Sequence, residues 1–417
     1  MPQWTHAQQN AIDANARNII VSAAAGSGKT AVLVERVVRI ITDERNPVDI
    51  DRLLVVTFTN AAAAEMKARI SARLEELLRH SPGKKQYMRQ LTLLPSAKIC
   101  TIDSFCLNLA RENFFNLGIS QDFTVLDESE AQIIADNALD TVLEAFYEEN
   151  DPNFTTLVET LSSPKDDAAF VSAIKKTYEY ISAQPQPLGW LEEMIELHSP
   201  DIDFENSVWY QPMREYAQER LDYSLKLINE CISLVDEQDE TAQKYLDVLH
   251  VDSALVCKLS SSFEEGWDAA VEAFKKVSFP TLYGNGKNKY VPPFKTEVTQ
   301  RRDLYKDIVK SVAANTCITC AQFTEDNKKI YPVLKMLHRV VESFSAEFRR
   351  LKDERNAYTF SDIEHFAFDL LTETDENGKT IPSQTARELQ SNFFEILVDE
   401  YQDTNEAQNA LFRLLSN

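Results

Sequence analysis

Up to residue 126, short apolar runs alternate with segments whose apolar positions recur every three or four residues. Ile19–Ser22, Leu53–Thr57 and Ile99–Thr101 read as buried strands, with Thr124–Leu126 a further short one. Ala31–Ile41, Ala61–Leu78 and Ser104–Asn113 read as amphipathic helices. Such alternation predicts a parallel sheet covered by helices. From Glu128 the texture changes. Ile133, Ile134, Leu139, Val142, Leu143 and Phe146 keep helical spacing, as do Tyr216–Leu234 and Val333–Leu351. Breakers at Gln184–Pro187, Tyr283–Gly286 and Pro292-Pro293 separate these stretches. After Thr359–Asp362 and one more helix, Phe393–Val398 is again short, apolar and closed by acids, and a short helix follows at Glu406–Leu415. The pattern predicts an α/β domain in two parts, 1–127 and 353–417, with a mostly helical domain over 128–352 inserted between them. Such an insertion is cheap, because loop-closure entropy grows only logarithmically with length.

A length of 417 residues, 44% hydrophobic and 10% aromatic, suits two or three globular domains. No apolar run reaches the length of a membrane span, and the Met1–His6 start lacks a secretory pattern, so a cytoplasmic location is expected. The six cysteines suit reduced thiols; Cys317 and Cys320 form a C-x-x-C without a second pair and are expected as packed helix-side thiols. A net charge of −23 argues against a general nucleic-acid coat. Residues 52–111 nevertheless carry ten Lys/Arg against four Asp/Glu, whereas 126–150 carry eight acids and no Lys/Arg. A local nucleic-acid track and two ordinary solvated helix faces both fit that distribution.

Chemistry first shows at Ala23-Ala-Ala-Gly-Ser-Gly-Lys-Thr30, between the first expected strand and a helix. Backbone N–H groups at the helix start, together with its dipole, cradle phosphates in such a loop. Ala23, Ala24, Ala25, Gly26, Ser27 and Gly28 form the cradle, Lys29 reaches the β- and γ-phosphates, and the Thr30 hydroxyl ligates Mg²⁺. Far along the chain, Asp399 and Glu400 follow an apolar run, at the strand end where open α/β sheets bind ligands. An Asp there can hold Mg²⁺ and an adjacent Glu can polarise an attacking water.

In this order, four motifs resemble those of superfamily 1A DNA helicases of the UvrD, Rep and RecB type. Thr5-His-Ala-Gln8 resembles the Q motif, 23–30 motif I, Thr57-Phe-Thr-Asn-Ala61 motif Ia and Asp399-Glu-Tyr-Gln-Asp-Thr404 motif II. The resemblance implies a RecA-like fold (domain 1A) with an inserted domain 1B. By the same resemblance Gln8 reads adenine, Asp399 joins Thr30 on Mg²⁺, Glu400 orients water and Gln402 senses the γ-phosphate. Phe58, Thr59 and Asn60 would line a single-strand DNA path; Phe58 as core with Asn60 as helix cap is the competing reading. Thr101 and Ser104 match a further DNA-facing motif. Asp103 stands there where relatives often show His, and it is expected to cap the following helix.

The long span from Ser104 to Asp399, with Ser104-Phe-Cys106, resembles the A-subunit family of AddAB (RexAB) helicase–nucleases. That family uses ATP and Mg²⁺, unwinds and resects double-strand DNA ends, and pairs with an AddB/RexB-type B subunit. The resemblance further implies the amino-terminal motor portion of a longer protein, lacking motifs III to VI and the nuclease domain, with weak ATP binding and slow hydrolysis. A nucleotide- and DNA-binding module without helicase activity, and an ATPase unrelated to DNA, are the alternatives. Lys287, Lys289, Lys295, Arg301 and Arg302 fit either a duplex contact or a solvated loop.

Overall fold

The computed structural model describes residues 4–15, 18–24, 26–163, 166–282, 291–376 and 378–416. Its described strands are β1 (Leu53–Thr57), β2 (Lys98–Thr101), β3 (Thr124–Val125), β4 (Ala357–Tyr358), β5 (Thr372–Thr374), β6 (Thr380–Pro382) and β7 (Glu395–Val398). The chain is mixed α/β and mostly helical, with small parallel sheets. It packs as two compact units, residues 1–151, 158–190 and 339–417 in one and 152–157 and 191–338 in the other.

The main sheet of the first unit runs β2-β1-β7, with both pairings parallel. In register, Val56 faces Cys100 on one side and Val398 on the other. All five residues of β1 are buried, and their alternation explains the unbroken apolar run. Leu53 and Val55 join a core with the helices Lys29–Thr42 and Asn60–His80, through Val37, Ile41, Met66 and Ile70. Leu54 and Val56 face the other way, into Ile102–Glu112, Phe360–Leu371 and Glu406–Leu415 through Phe105, Ile363 and Leu411. Because all three strands run the same way, the turns after Thr57, Thr101 and Val398 share one edge.

Ile19–Ser22 departs from its expected state. The segment forms no strand, and Ile20 is 87% exposed. A strand exists by virtue of a ladder partner. The sheet's edges are β2 and β7, and neither pairs with this segment.

The short β3–β4 ladder is parallel. The Thr124 amide donates to Asn356 O at 3.1 Å and the Leu126 amide to Tyr358 O at 2.9 Å, so the chain leaving at 126 returns beside itself at 356. The sequence pattern puts the inserted segment at 128–352; by packing, Glu128–Glu149 and Ala168–Ser182 lie in the first unit. Cys320–Arg355 is a single helix that runs through Pro332, where the sequence suggests one beginning at Val333.

The second unit is built on Tyr210–Leu234, Ala242–Ser262, Trp267–Lys275 and Lys295–Asn315, around Leu221, Tyr245, Val256, Trp267 and Val309. Its core contains an ion pair. Arg302 Nε donates to Asp252 Oδ2 at 2.7 Å, and the Tyr305 hydroxyl donates to the same oxygen. Arg302, 4% exposed, is therefore unavailable to DNA, and Arg301 is paired with Glu230 and Glu297. Lys287 and Lys289 lie outside the described residues. Cys317 is exposed and precedes the helix that Cys320 opens, so the two are not a packed helix-side pair. Among the described residues, no helix is long and apolar enough to cross a membrane.

Candidate active site

The glycines of the 23–30 loop adopt the left-handed backbone that only glycine takes without strain, with φ of +76° at Gly26 and +83° at Gly28. Gly28 is the N-cap of Lys29–Thr42, so the helix start opens directly onto the loop. The Ser27 amide donates to Ala24 O at 3.2 Å and closes the turn. The Ser27 hydroxyl is buried without a hydrogen-bond partner among the described residues, an orphan that an anionic oxygen in the loop would satisfy. Ala23 and Ala24 are exposed; Ala25 lies outside the described residues.

Gln8 reaches this loop through its own helix start. Thr5 and Gln8 form a reciprocal capping box on His6–Asp13, and Gln8 Nε2 donates to Ser27 O at 3.0 Å. The two helices are held together by Arg36. Its Nη1 donates to the carbonyls of Ala11, Ile12 and Ala14, while Nε and Nη2 clasp Glu395 of β7 at 2.6 and 3.1 Å. No spacing in the sequence pairs Arg36 with Glu395, which stands 359 positions away.

The acids arrive from β7. The Asp399 amide donates to Val56 O at 2.9 Å and prolongs the ladder by one residue, and Glu400 turns the chain at φ +54°. These placements bring both carboxylates to the loop. The Thr30 hydroxyl donates to Asp399 Oδ2 at 3.4 Å, and Lys29 Nζ lies 3.7 Å from Glu400 Oε2. Gln402 Nε2 donates to that same Glu400 oxygen. Burial, with Glu400 beside it, pushes the Asp399 carboxyl up, whereas the Gln402 hydrogen bond and Lys29 hold Glu400 below its ordinary value. Residues from opposite ends of the chain thus form one cluster: a glycine-turned loop at a helix start, an ammonium, a hydroxyl and two carboxylates of unlike basicity.

On the same sheet edge, Phe58 is 68% exposed and is no core residue. Thr59, not Asn60, caps Asn60–His80, accepting from the Ala62 amide at 3.1 Å. Asn60 is left exposed, its Oδ1 accepting from the Ser104 hydroxyl at 3.5 Å. Thr101 is buried and caps Ile102–Glu112 in place of Asp103. Asp103 turns inward to hydrogen-bond Glu364, and burial raises both carboxyls.

The chain matches the family model for the UvrD/REP helicase N-terminal domain over residues 4–417. It is 38% identical over 99% of its length to the A subunit of the ATP-dependent helicase/nuclease from Acetivibrio thermocellus, covering 34% of that protein. The proteins of the same name from Ruminiclostridium cellulolyticum and Clostridioides difficile are 36% and 34% identical, with 34% and 33% of each covered. The chain spans about a third of the length of these curated relatives. By this match over residues 4–417, the chain belongs to the UvrD/REP helicase family and carries that family's N-terminal domain.

Proposed function

We propose that this chain is the ATP-binding motor portion of the A subunit of an ATP-dependent DNA helicase/nuclease. Residues 1–127 and 353–417 would form its RecA-like domain 1A, and 128–352 the inserted domain 1B. The hydrogen-bonded return at Thr124–Leu126 and Asn356–Tyr358 supports an insertion. The observation that carries the reading is the convergence of Lys29 and Thr30 with Glu400 and Asp399, 3.7 and 3.4 Å apart.

In this reading the loop amides and Lys29 hold the phosphates and the Ser27 hydroxyl finds its partner there. Gln8, fixed against the loop, reads the adenine edge. Thr30 and Asp399 would hold Mg²⁺, which would supply charge neutralisation at the transferred phosphoryl group. Glu400, kept ionised by its neighbours, orients the attacking water, and Gln402 on its carboxylate reports the γ-phosphate. Lys29 and Glu400 remain 30% and 39% exposed, so water screens the site on one side. An unclosed site stabilises the developing charge poorly, and this chain is therefore expected to bind ATP weakly and turn it over slowly. Phe58, Thr59, Asn60, Thr101 and Ser104 lie along the edge where single-strand DNA would pass, Phe58 as the stacking face. Double-strand DNA ends as the whole protein's substrate, and a partnering B subunit, belong to the same proposal.

A fluorescent ATP analogue titrated with Mg²⁺ tests it. Lys29→Ala should weaken binding by about 10- to 100-fold, the loss of one charge-assisted contact, and Asp399→Asn should abolish the Mg²⁺ dependence. Phosphate release from the parent chain should be slow. Affinity untouched by both substitutions overturns the assignment.

A further inference from the structure

The second unit holds a pocket of about 340 Å³ that the proposed reaction does not use. Its inner wall is aromatic: Phe204 and Trp267 are buried, their ring centroids 4.8 Å apart, and Phe323 stands 5.1 Å from Phe204. Met213 completes the wall, while Trp209 and Ile318 stand at the mouth, 40% and 48% exposed. Of the polar residues that line it, His198 sets its ring 5.8 Å from that of Trp209, and Trp267 and Asn315 have hydrogen-bond partners. The Trp267 indole N–H donates to Ile318 O at 2.8 Å, and Asn315 Nδ2 donates to Ser311 O at 3.1 Å. The pocket therefore recognises apolar shape, with room for one aromatic or two aliphatic side chains.

Charge decides which molecule carries that side chain. Asp201, Asp203, Glu205 and Asp268, all exposed, flank the lining positions, and Arg214 is the one Lys/Arg within three residues of any of them. Asp268, Glu205 and Asp203 act together on the Cys320 thiol, which burial and these carboxylates push up to about 12. An anionic rim repels nucleic-acid phosphates and favours a cationic partner.

We propose that this pocket docks a segment of a partner protein that presents an aromatic or leucine anchor flanked by Lys/Arg. The anchor fills the aromatic cavity and supplies most of the affinity, and the flanking cations answer the rim and set register. None of these residues belongs to the nucleotide cluster, so the two readings fail separately.

Fluorescence anisotropy of the 417-residue chain with labelled Lys-Lys-Trp-Leu-Lys-Lys tests this. Binding should saturate, weaken as salt rises, and fall roughly tenfold when the peptide's Trp is replaced by Ala. Ile318→Arg adds charge to a half-exposed mouth residue without emptying the core and should cost a similar factor. Asp201→Asn with Asp203→Asn should remove part of the salt dependence and leave the Trp preference. Absent or non-saturable binding, equal affinity for the Ala peptide, or affinity untouched by Ile318→Arg overturns the proposal. Displacement of the peptide by a short oligothymidylate, with oligonucleotide binding lost in Ile318→Arg, would assign the pocket to nucleic acid instead.

Discussion

Asp103 and Glu364 face each other below the sheet edge, and between them they hold one proton more readily than none. Gln408 Nε2 donates to Glu364 Oε1 at 2.6 Å and Asn405 Nδ2 to Glu364 Oε2 at 3.4 Å, so both Glu364 oxygens have amide donors beside the carboxyl pair. Burial raises both; the Asp103 charge raises Glu364 further, while the hydrogen bond from Glu364 partly offsets burial at Asp103 and Gln408, Asn405 and His365 partly offset it at Glu364. A raised carboxyl stabilises the fold while protonated, and that contribution is lost as pH rises through the raised value. Asp103→Asn keeps a donor without the titration. Its melting temperature should exceed the parent's near pH 7, with the gap closing as pH falls toward the ordinary carboxylate range. A gap that does not change with pH would refute the shared proton. This pair is hidden in the sequence, where Asp103 reads as a helix cap, because its partner lies on a helix more than two hundred residues away. The convergence of Gln8, Lys29, Thr30 and Asp399 was legible because each sits at a local motif beside a strand or helix start. Arg36 was not, since its carboxylate partner is 359 positions distant.

Elements were readable where one face had to be buried and unreadable where a partner decided the outcome. Leu53–Val56 is an unbroken apolar run because both sheet faces are covered, and Lys98–Thr101 and Glu395–Val398 follow as its neighbours. Ile19–Ser22 has the same apolar texture, yet a run of β-formers becomes a strand only when another backbone satisfies it. The long helix shows the converse. Pro332 removes one donor from a helix interior and reads as a boundary, but Cys320–Arg355 continues through it with amphipathic packing on both sides, Met336 and Val340 being buried after it. The exposed segment carries a consequence. Ile20 contributes almost nothing to the core at 87% exposure, so Ile20→Lys should change the unfolding free energy from urea titration by no more than about 0.5 kcal/mol. The same change should lower light scattering on concentration, because it breaks an apolar, pairing-competent stretch. A loss of several kcal/mol would mean that the side chain is buried in solution.

At the scale of the whole molecule, charge and stacking make opposite demands on a DNA strand. The net charge of −23 repels phosphate at long range. The basic stretch 52–111 suggests a compensating track, but much of it is engaged locally. Arg69 pairs with Glu65, Arg73 with Glu35 and Glu76, Lys84 with Glu44 and Arg89 with Asp49, while the Lys98 ammonium sits 5.1 Å from the Phe393 ring centroid. Few cations are left to displace counterions, whereas Phe58 offers an exposed ring face on the sheet edge. Single-strand DNA binding by this chain should then depend weakly on salt. About two neutralised phosphates give a log–log slope near −1.4, far shallower than that of a protein with a cationic groove. Phe58→Ala should reduce affinity by about 5- to 160-fold, the worth of one stacked base, without changing that slope. Oligothymidylate titrations of the parent and Phe58→Ala at several salt concentrations separate the two terms. A steep slope, or a substitution that flattens it, would place the strand on a charged surface elsewhere and remove Phe58 from its path.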